Sequence, residues 1–280
     1  MESAAHCSRH LVGRALRVLV AVLMAVTFTS SAGCSRTAVS SATEPSKPGP
    51  VTLNVSAAAS LKSVLTDIAP SFETANGVKL VFNFGASGVL MKQIESGSPT
   101  DVFLSAGALQ VDTLTAKGLI SAEQTETFAG NDLVILVPAG NPRGIHGQND
   151  LANATKLATG DPAVAPHGAA AREWLVTIGL WKTLEPRFVF AASAPQTDDY
   201  VARGEVDAGI GFASDAAGRG DLEVAYVVPA AEYKLVKYVA APVKESKQTE
   251  LGSRFVTYLL TPGVQSALKD AGFKPAPAKQ

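Results

Sequence analysis

The chain has 280 residues, of which 46% are hydrophobic and 18% are charged, as in an ordinary globular protein. Its formal net charge of −1 excludes the strong basic field that proteins use to bind nucleic acid or anionic membranes. The length allows two domains of about 100–200 residues each. A protein without a surplus of Lys and Arg can bind a charged ligand only if neutral groups supply most of the hydrogen bonds.

Residues 1–34 have the pattern of an export signal. Three arginines precede the apolar residues 18–28, a run that has the length of a signal peptide and is too short to span a bilayer. The small residues before Cys34 (SAGC) resemble a lipobox, although its first position is usually leucine. We therefore predict a lipid anchor on Cys34. The alternative is simple cleavage near Ala32, with an incidental cysteine.

Residues 35–50 are rich in Ser, Thr and Pro and contain almost no large apolar residue. Such a segment cannot bury a core, so it is predicted to be a flexible linker. Because Cys7 and Cys34 both fall in the leader, the folded body has no cysteine, which excludes disulfides, thiolate metal sites and a cysteine nucleophile. We expect an exported protein that lies in the periplasm or on the outer face of the cytoplasmic membrane.

From residue 51 the sequence alternates short apolar strands with amphipathic helices. This alternation predicts an α/β fold with mixed, mostly parallel sheets and flanking helices. Pro70 is expected to kink or locally break the first helix, and the apolar residues 131–137 are typical of a strand buried on both faces. The first half predicts strands at 51–55, 79–84, 101–105 and 131–137 and helices at 61–76, 88–96 and 108–117.

The second half continues in the same style. It predicts strands at 156–159, 188–191, 207–212, 222–228 and 235–243 and helices at 168–178, 195–203, 247–259 and 263–271. Two α/β lobes fit this pattern. We predict that residues 51–130 and 230–280 form the first lobe and residues 131–229 the second.

Three turns combine a strand end, small residues and a helix start: AAASL at 57–61, FGASG at 84–88 and ASAPQ at 192–196. A helix start exposes unpaired N–H groups and a partial positive charge, which favour an anion. Small residues let the anion approach the backbone, and a serine hydroxyl adds a neutral donor. In α/β sheets, ligands lie beyond the carboxyl ends of the strands, where these turns fall.

Each turn also has a purely structural interpretation. Ser60 can be only an N-cap, Ser87-Gly88 only a turn, and Ser193-x-x-Gln196 only a capping box. The three turns by themselves therefore predict no more than the binding of a small ligand.

Motifs for catalysis and metal binding are absent from the sequence of the body. His146 and His167 are its only histidines, with no HExxH pattern, no G-x-S-x-G elbow and no P-loop. His146 lies in a loop rich in Gly, Pro and Asn and is expected to be exposed. Asp198 and Asp199 begin a helix, where acidic residues favour the helix dipole. We therefore predict a protein that is not an enzyme and has neither a metal site nor a cofactor.

The sequence resembles the molybdate-binding proteins of bacterial ABC transporters over residues 51–274. The resemblance is carried by AAASL (57–61), FGASG (84–88), SGSPTDVFLSA (96–106), NDLVILVP (131–138), GDPAVAPHG (160–168), ARGEVDAGIGFASDA (202–216) and AGFKP (271–275). It implies the two-lobed, type II periplasmic-binding-protein fold, in which lobes close about a hinge onto the ligand. It also implies molybdate or tungstate as ligand and the permease subunits and ATPase of an ABC importer as partners. We expect a monomer that touches the membrane only through its lipid anchor.

The resemblance also implies which residues contact the anion: Ser60 and Ser87 in the first lobe, and His167, Ala194 and Phe212 in the second. The positions of His167 and Ala194 act through the backbone N–H. Phe212 departs from the family, since many relatives have a tyrosine there whose hydroxyl reaches the anion. Losing one hydrogen bond to a charged group costs about 1.5–3 kcal/mol. Ser193, Thr197 or the His167 ring are the candidates to replace that hydroxyl.

The choice between anions depends on their protons. A fully deprotonated dianion needs only donors, whereas hydrogenphosphate also needs an acceptor such as a carboxylate. None of the predicted contacts is acidic, although Asp198 lies near them in sequence. The alternative to molybdate or tungstate is another anion on the same fold: sulfate, phosphate or a small organic acid.

Overall fold

The structure is a computed structural model that describes residues 51–276. The predictions for the leader, the linker and Cys34 lie outside these residues. The described chain forms two β-sheets flanked by helices, which confirms the α/β fold. Within it, no helix is both long enough and apolar enough to cross a bilayer.

Six strands form the first sheet: β1 (Val51–Ala58), β2 (Val78–Gly85), β3 (Val102–Ser105), β4 (Glu126–Asn131), β10 (Val236–Pro242) and β11 (Lys274–Pro275). Their order across the sheet is β11-β4-β10-β3-β1-β2. β1 runs parallel to β2 and β3, whereas β10 runs antiparallel to β3 and β4, and β11 antiparallel to β4.

Five strands form the second sheet: β5 (Leu133–Pro138), β6 (Leu157–Gly160), β7 (Phe188–Ala191), β8 (Ala208–Phe212) and β9 (Leu222–Val227). Their order is β7-β6-β8-β5-β9. β6 is parallel to β7 and β8, and β5 is antiparallel to β8 and β9.

Both sheets are mixed, as predicted, but they contain less parallel pairing than predicted. Among the described strands, four pairings are parallel and five antiparallel. Four of the five antiparallel pairings come from β5 and β10, because each has antiparallel neighbours on both sides, and the fifth is that of β11 with β4. The chain passes from the first sheet to the second at Asp132 and returns over residues 228–235.

The helices are α1 (Lys62–Asn76), α2 (Ser87–Glu95), α3 (Ala108–Ala116), α4 (Pro166–Thr177), α5 (Trp181–Leu184), α6 (Ala194–Ala202), α7 (Ala213–Ala216), α8 (Thr249–Leu259) and α9 (Pro262–Asp270). The seven helices predicted from the sequence are all present. The two short helices α5 and α7 were not predicted, because four residues are too few to show a helical period.

Pro70 does not break α1, contrary to one of the predicted outcomes, because the helix runs unbroken from Lys62 to Asn76. Pro70 is exposed, whereas Leu65, Ile68 and Phe72 are buried in the core. A proline inside a helix costs about 3 kcal/mol, and burying each large apolar side chain stabilises the fold by about 1.5–3 kcal/mol. The packing of this face therefore outweighs the cost of the proline.

Tyr238 on β10 is a fully buried residue of the core. Its ring contacts those of Phe128, Phe212 and Phe273, with centroid distances of 6.2, 6.1 and 5.2 Å. Phe212 belongs to the second sheet and Phe128 to the first. The tyrosine therefore packs where the two sheets meet.

Candidate functional site

A small cleft of about 20 Å³ lies where the carboxyl ends of strands from both sheets meet. It is lined by Ala58, Ala59, Ser60, Gly85, Ala86, Ser87, Ala106, Ala165, Pro166, His167, Ser193, Ala194 and Phe212. All five residues predicted to contact the ligand are among them. The structure thus brings these residues together, and their contact with a ligand stays a prediction.

Two serines face the cleft from the first sheet. Ser60 follows β1 in a single turn of 3-10 helix, Ala59–Leu61, and Ser87 is the first residue of α2. The buried Ser87 Oγ accepts a hydrogen bond from the N–H of Ala106 at 3.0 Å. Since that bond does not use the hydroxyl hydrogen, Ser87 keeps a hydrogen that it can donate toward the cleft.

Three α-helices of nine to twelve residues, α2, α4 and α6, begin at the cleft. His167 is the second residue of α4, after Pro166, and Ala194 is the first residue of α6. The first N–H groups of a helix have no partner inside the helix, and they lie at the positive end of its dipole. The cleft therefore gathers partial positive charge from backbone groups.

His167 is buried and neutral. Burial lowers the pKa of its ring to about 4, so the imidazole is uncharged near pH 7. Its Nε2 lies 3.1 Å from Thr197 Oγ1. The Thr197 hydroxyl donates to the carbonyl of Ser193, so we assign the ring hydrogen to Nε2, which donates to Thr197. The ring hydrogen of His167 and the hydroxyl hydrogen of Thr197 are thus both used within the protein, which leaves Ser193 as the candidate to replace the tyrosine hydroxyl.

Phe212 is the last residue of β8 and forms the corner of the cleft beside His167. Its ring is buried and packs edge-on against the His167 ring, with the centroids 5.7 Å apart. Its N–H donates to Asp215 Oδ2 at 2.8 Å. This corner therefore presents an apolar ring to the cleft.

The structural interpretations of the turns at Ser60 and Ser193 are not what the structure shows. Leu61 occupies the cap position of α1, and Ser60 Oγ instead lies 2.9 Å from Tyr238 Oη. The Ser193 side chain makes no capping hydrogen bond, while Gln196 Oε1 accepts from the N–H of Ala192 at 2.7 Å. The serine hydroxyls are therefore not used to cap helices.

The prediction that Asp198 and Asp199 serve the helix dipole is wrong, because α6 begins at Ala194 and neither aspartate lies in its first turn. Asp198 is instead part of the interior. Its side chain is buried, and its Oδ1 has no hydrogen-bond partner among the described residues. A Cβ placed on Gly211 would lie 3.7 Å from this oxygen and 3.2 Å from Asp215 Oδ2, so the two carboxyl groups face the same strand. Burial, together with the charge of Asp215, raises the pKa of Asp198 to about 9. Burial also raises the pKa of Asp215 to about 7.

A backbone hydrogen bond holds the two sides of the cleft together. The N–H of Gly88 in α2 donates to the carbonyl of Val164, before α4, at 2.9 Å. A Cβ on Gly88 would lie 2.6 Å from that oxygen and 2.9 Å from Val164 Cα. Both are backbone atoms that cannot move aside cheaply, so the contact requires glycine.

The residues that line the cleft include no Asp, Glu, Lys or Arg. Within residues 51–276, no group of three His, Cys, Asp or Glu side chains is arranged to hold a metal ion. His146 is exposed, as predicted. The cleft is thus built of neutral groups, with donors on both sides.

The chain is similar in sequence and in fold to several known proteins. A family model described as bacterial extracellular solute-binding protein matches residues 53–274. The molybdate-binding protein ModA of Escherichia coli is 33% identical over 227 residues, covering 79% of this chain and 88% of ModA. YvgL of Bacillus subtilis, provisionally named an ABC transporter substrate-binding lipoprotein, is 30% identical over 257 residues, covering 91% and 96%. The structure of the periplasmic molybdate-binding protein of Azotobacter vinelandii superposes with a TM-score of 0.71 at 25% identity, covering 80% and 100%.

Two sheets with a cleft at their carboxyl ends define a type II periplasmic binding protein, and the A. vinelandii structure confirms this fold. The chain belongs to the family of bacterial extracellular solute-binding proteins. The resemblance to the molybdate-binding proteins is likewise confirmed. Members of this family are binding proteins that work outside the cytoplasm as components of ABC transporters, beside a permease and an ATPase.

Proposed function

We propose that this protein captures molybdate or tungstate in the cleft and delivers it to an ABC importer. The observation that carries the proposal is a cleft with donors on both sides and no charged side chain. Ser60 and Ser87 would donate through their hydroxyls, and His167 and Ala194 through their backbone N–H groups. Phe212 would form an apolar wall.

The absence of a carboxylate from the cleft lining favours a fully deprotonated dianion. Hydrogenphosphate carries a hydrogen that needs an acceptor, and Asp198 does not line the cleft. The small volume of the cleft favours an ion over an organic acid. Relatives named for molybdate binding support the same choice. Molybdate and tungstate have the same charge and nearly the same size, so the cleft would take either.

The donors are sufficient for useful affinity. A hydrogen bond to a charged group contributes about 1.5–3 kcal/mol, so four of them contribute about 6–12 kcal/mol. A micromolar to nanomolar complex requires about 8–12 kcal/mol. Neutral donors can therefore hold the anion although the cleft has no lysine or arginine.

Delivery would depend on closure of two lobes, residues 51–130 with 230–280 and residues 131–229. The chain crosses between the sheets at Asp132 and over 228–235, and these crossings would serve as the hinge. A ligand that contacts both lobes favours the closed state, which the permease would recognise. We further propose that the protein acts as a monomer, held at the membrane by a lipid on Cys34.

Calorimetric titration of the protein without its leader tests the proposed ligand. We expect micromolar or tighter binding of molybdate and tungstate, and weaker binding of sulfate and phosphate. Absence of heat from both heavy oxyanions would contradict the proposal, and a preference for sulfate or phosphate would reassign the ligand.

Restoring a hydroxyl at Phe212 is expected to tighten binding. The Phe212→Tyr variant places an O–H donor at the apolar corner, where a hydrogen bond to the anion is worth about 1.5–3 kcal/mol, or about ten- to hundredfold in affinity. Phe190→Tyr, on a half-exposed ring of β7, adds the same hydroxyl away from the cleft and should change nothing. Unchanged or weaker molybdate binding by Phe212→Tyr would show that another group already fills this corner.

A further inference from the structure

A chain of hydrogen bonds reaches Ser60 from the point where the two sheets meet. It begins at Asn131, the last residue of β4, whose Nδ2 lies 2.8 Å from Ser214 Oγ and 3.3 Å from Tyr238 Oη. Tyr238 Oη then lies 2.9 Å from Ser60 Oγ. The chain therefore ends at a hydroxyl that lines the cleft.

The direction of this chain is set at Asn131. The N–H of Ser214 donates to Asn131 Oδ1 at 3.3 Å, which identifies the oxygen of the amide. The nitrogen must then donate to Ser214 Oγ and to Tyr238 Oη. The Ser214 hydroxyl in turn donates to Asp215, a bond that lowers the pKa of that carboxyl. Ser214 Oγ is thus an acceptor for Asn131, in agreement with the same orientation of the amide.

The same logic applies to the next two hydroxyls. Because Tyr238 Oη accepts a hydrogen from Asn131, its own hydrogen is free to donate to Ser60 Oγ. Ser60 then accepts from Tyr238 and keeps its hydrogen for the cleft. Ser87 is in the same position, since it accepts from the N–H of Ala106. Ser60 and Ser87 each accept one hydrogen bond from the protein and have one hydrogen to give.

The surroundings of Tyr238 fix both the position and the protonation of its hydroxyl. Its side chain is fully buried, and three aromatic rings surround its own. Burial raises the pKa of its hydroxyl further above the ordinary value, so the group stays protonated. The hydroxyl therefore neither rotates away with the ring nor loses its hydrogen.

We propose that Tyr238, oriented by Asn131, is a positioning residue that fixes Ser60 as a donor and thereby selects fully deprotonated oxyanions. Because the bond from Tyr238 occupies one lone pair of Ser60 Oγ and directs its hydrogen to the cleft, Ser60 suits a dianion such as molybdate better than a ligand hydroxyl that must itself donate. This inference rests on the proposed function and adds to it a determinant of specificity outside the cleft lining.

The Tyr238→Phe variant tests it, with molybdate and phosphate titrated at the same pH. Phenylalanine keeps the ring and removes the hydroxyl, so both lone pairs of Ser60 Oγ become free and its hydrogen is no longer fixed toward the cleft. We expect molybdate binding to weaken about two- to tenfold while phosphate binding does not weaken, so that the preference for molybdate narrows. Tyr233→Phe is the matched control, because the Tyr233 hydroxyl is also buried but accepts from the N–H of Leu133. It should leave the preference unchanged.

A double-mutant cycle separates this role from a general loss of packing. If Tyr238 acts through Ser60, adding Tyr238→Phe to Ser60→Ala causes no further loss of molybdate affinity. Fully additive losses would overturn the inference, as would a Tyr238→Phe variant with the wild-type preference.

Asn131→Asp provides an independent test should Tyr238→Phe fail to fold. A carboxylate at 131 only accepts, so it reverses both hydroxyls and turns the Ser60 hydrogen away from the cleft. We expect molybdate binding at least about tenfold weaker, and unchanged affinity would overturn the inference. If the wild-type protein binds no oxyanion, the proposed function fails as well. If it binds molybdate and these variants do not alter the binding, only the role of Tyr238 fails.

Discussion

Gly88→Ala is expected to weaken molybdate binding by about ten- to thousandfold without destabilising the proposed open state, in which the two lobes are apart. The added Cβ would lie 2.6 Å from the carbonyl oxygen of Val164 and would displace the backbone hydrogen bond between Gly88 and Val164. Overpacking costs about 1–3 kcal/mol and the lost bond about 0.5–1.5 kcal/mol. Together these values give the expected change in affinity.

The Gly88→Ala variant distinguishes an effect on closure of the two lobes from an effect on folding. Gly88 does not have a positive φ, so alanine suits its helical backbone and should leave the melting temperature of the open protein equal or slightly higher. Gly263→Ala is a matched control, because Gly263 is also the second residue of a helix, α9, and has open space around its Cβ position. Calorimetry and thermal unfolding measure both variants. Wild-type affinity in Gly88→Ala would show that this contact does not hold the bound state.

Asp198→Asn is expected to stabilise the protein at pH 9. The ordinary pKa of an aspartate is 3.8, and the folded protein raises it to about 9 for Asp198 and about 7 for Asp215. Above pH 4 the unfolded chain has released protons that the folded chain still holds. The free energy of unfolding therefore falls as pH rises from about 4 through the two folded pKa values. The stabilising effect of these protons is complete below pH 4 and lost above pH 9.

Asparagine at 198 cannot ionise, and its amide can donate to the carboxylate of Asp215. Relieving an unpaired buried charge is worth about 1–3 kcal/mol, and the variant should lose most of the fall in stability between pH 5 and pH 9. Urea unfolding at pH 5, 7 and 9 measures this. Asp199→Asn is the control, because Asp199 is half-exposed and faces Arg203 and Arg219. Identical pH profiles for wild type and Asp198→Asn would contradict the assignment of the buried proton.

Local sequence signals predicted most of the fold. The strand predicted at 188–191 has the bounds Phe188–Ala191, because a short β-branched and aromatic run beside turn residues leaves little choice. β4 was missed, since Glu126–Asn131 is only half apolar and becomes a strand through pairing with β10 and β11. Direction of pairing is likewise a tertiary property, so the share of antiparallel strands was underestimated.

The candidate site likewise has features that the sequence predicted and features that it did not. The turns around Ser60, Ser87 and Ala194 were found because small residues at helix starts are a local pattern. The contact of Asn131 with Tyr238 joins residues 107 positions apart, and no spacing pattern in the sequence predicts it. Asp198 appeared to be an ordinary helix-start residue until the fold placed it against Gly211. The contacts that fix the direction of these hydrogen bonds and the pKa of the buried carboxyl groups join residues that are distant in the sequence. Only the folded structure shows them.

The position of tungsten in crystals grown with tungstate tests the central claim most directly, because the heavy atom gives a strong anomalous signal. We predict one dominant peak in the cleft, with oxyanion oxygens at about 2.7–3.2 Å from Ser60 Oγ, Ser87 Oγ and the backbone nitrogens of His167 and Ala194. A dominant peak outside the cleft, or a closed protein whose cleft holds no tungsten, would contradict the proposed function.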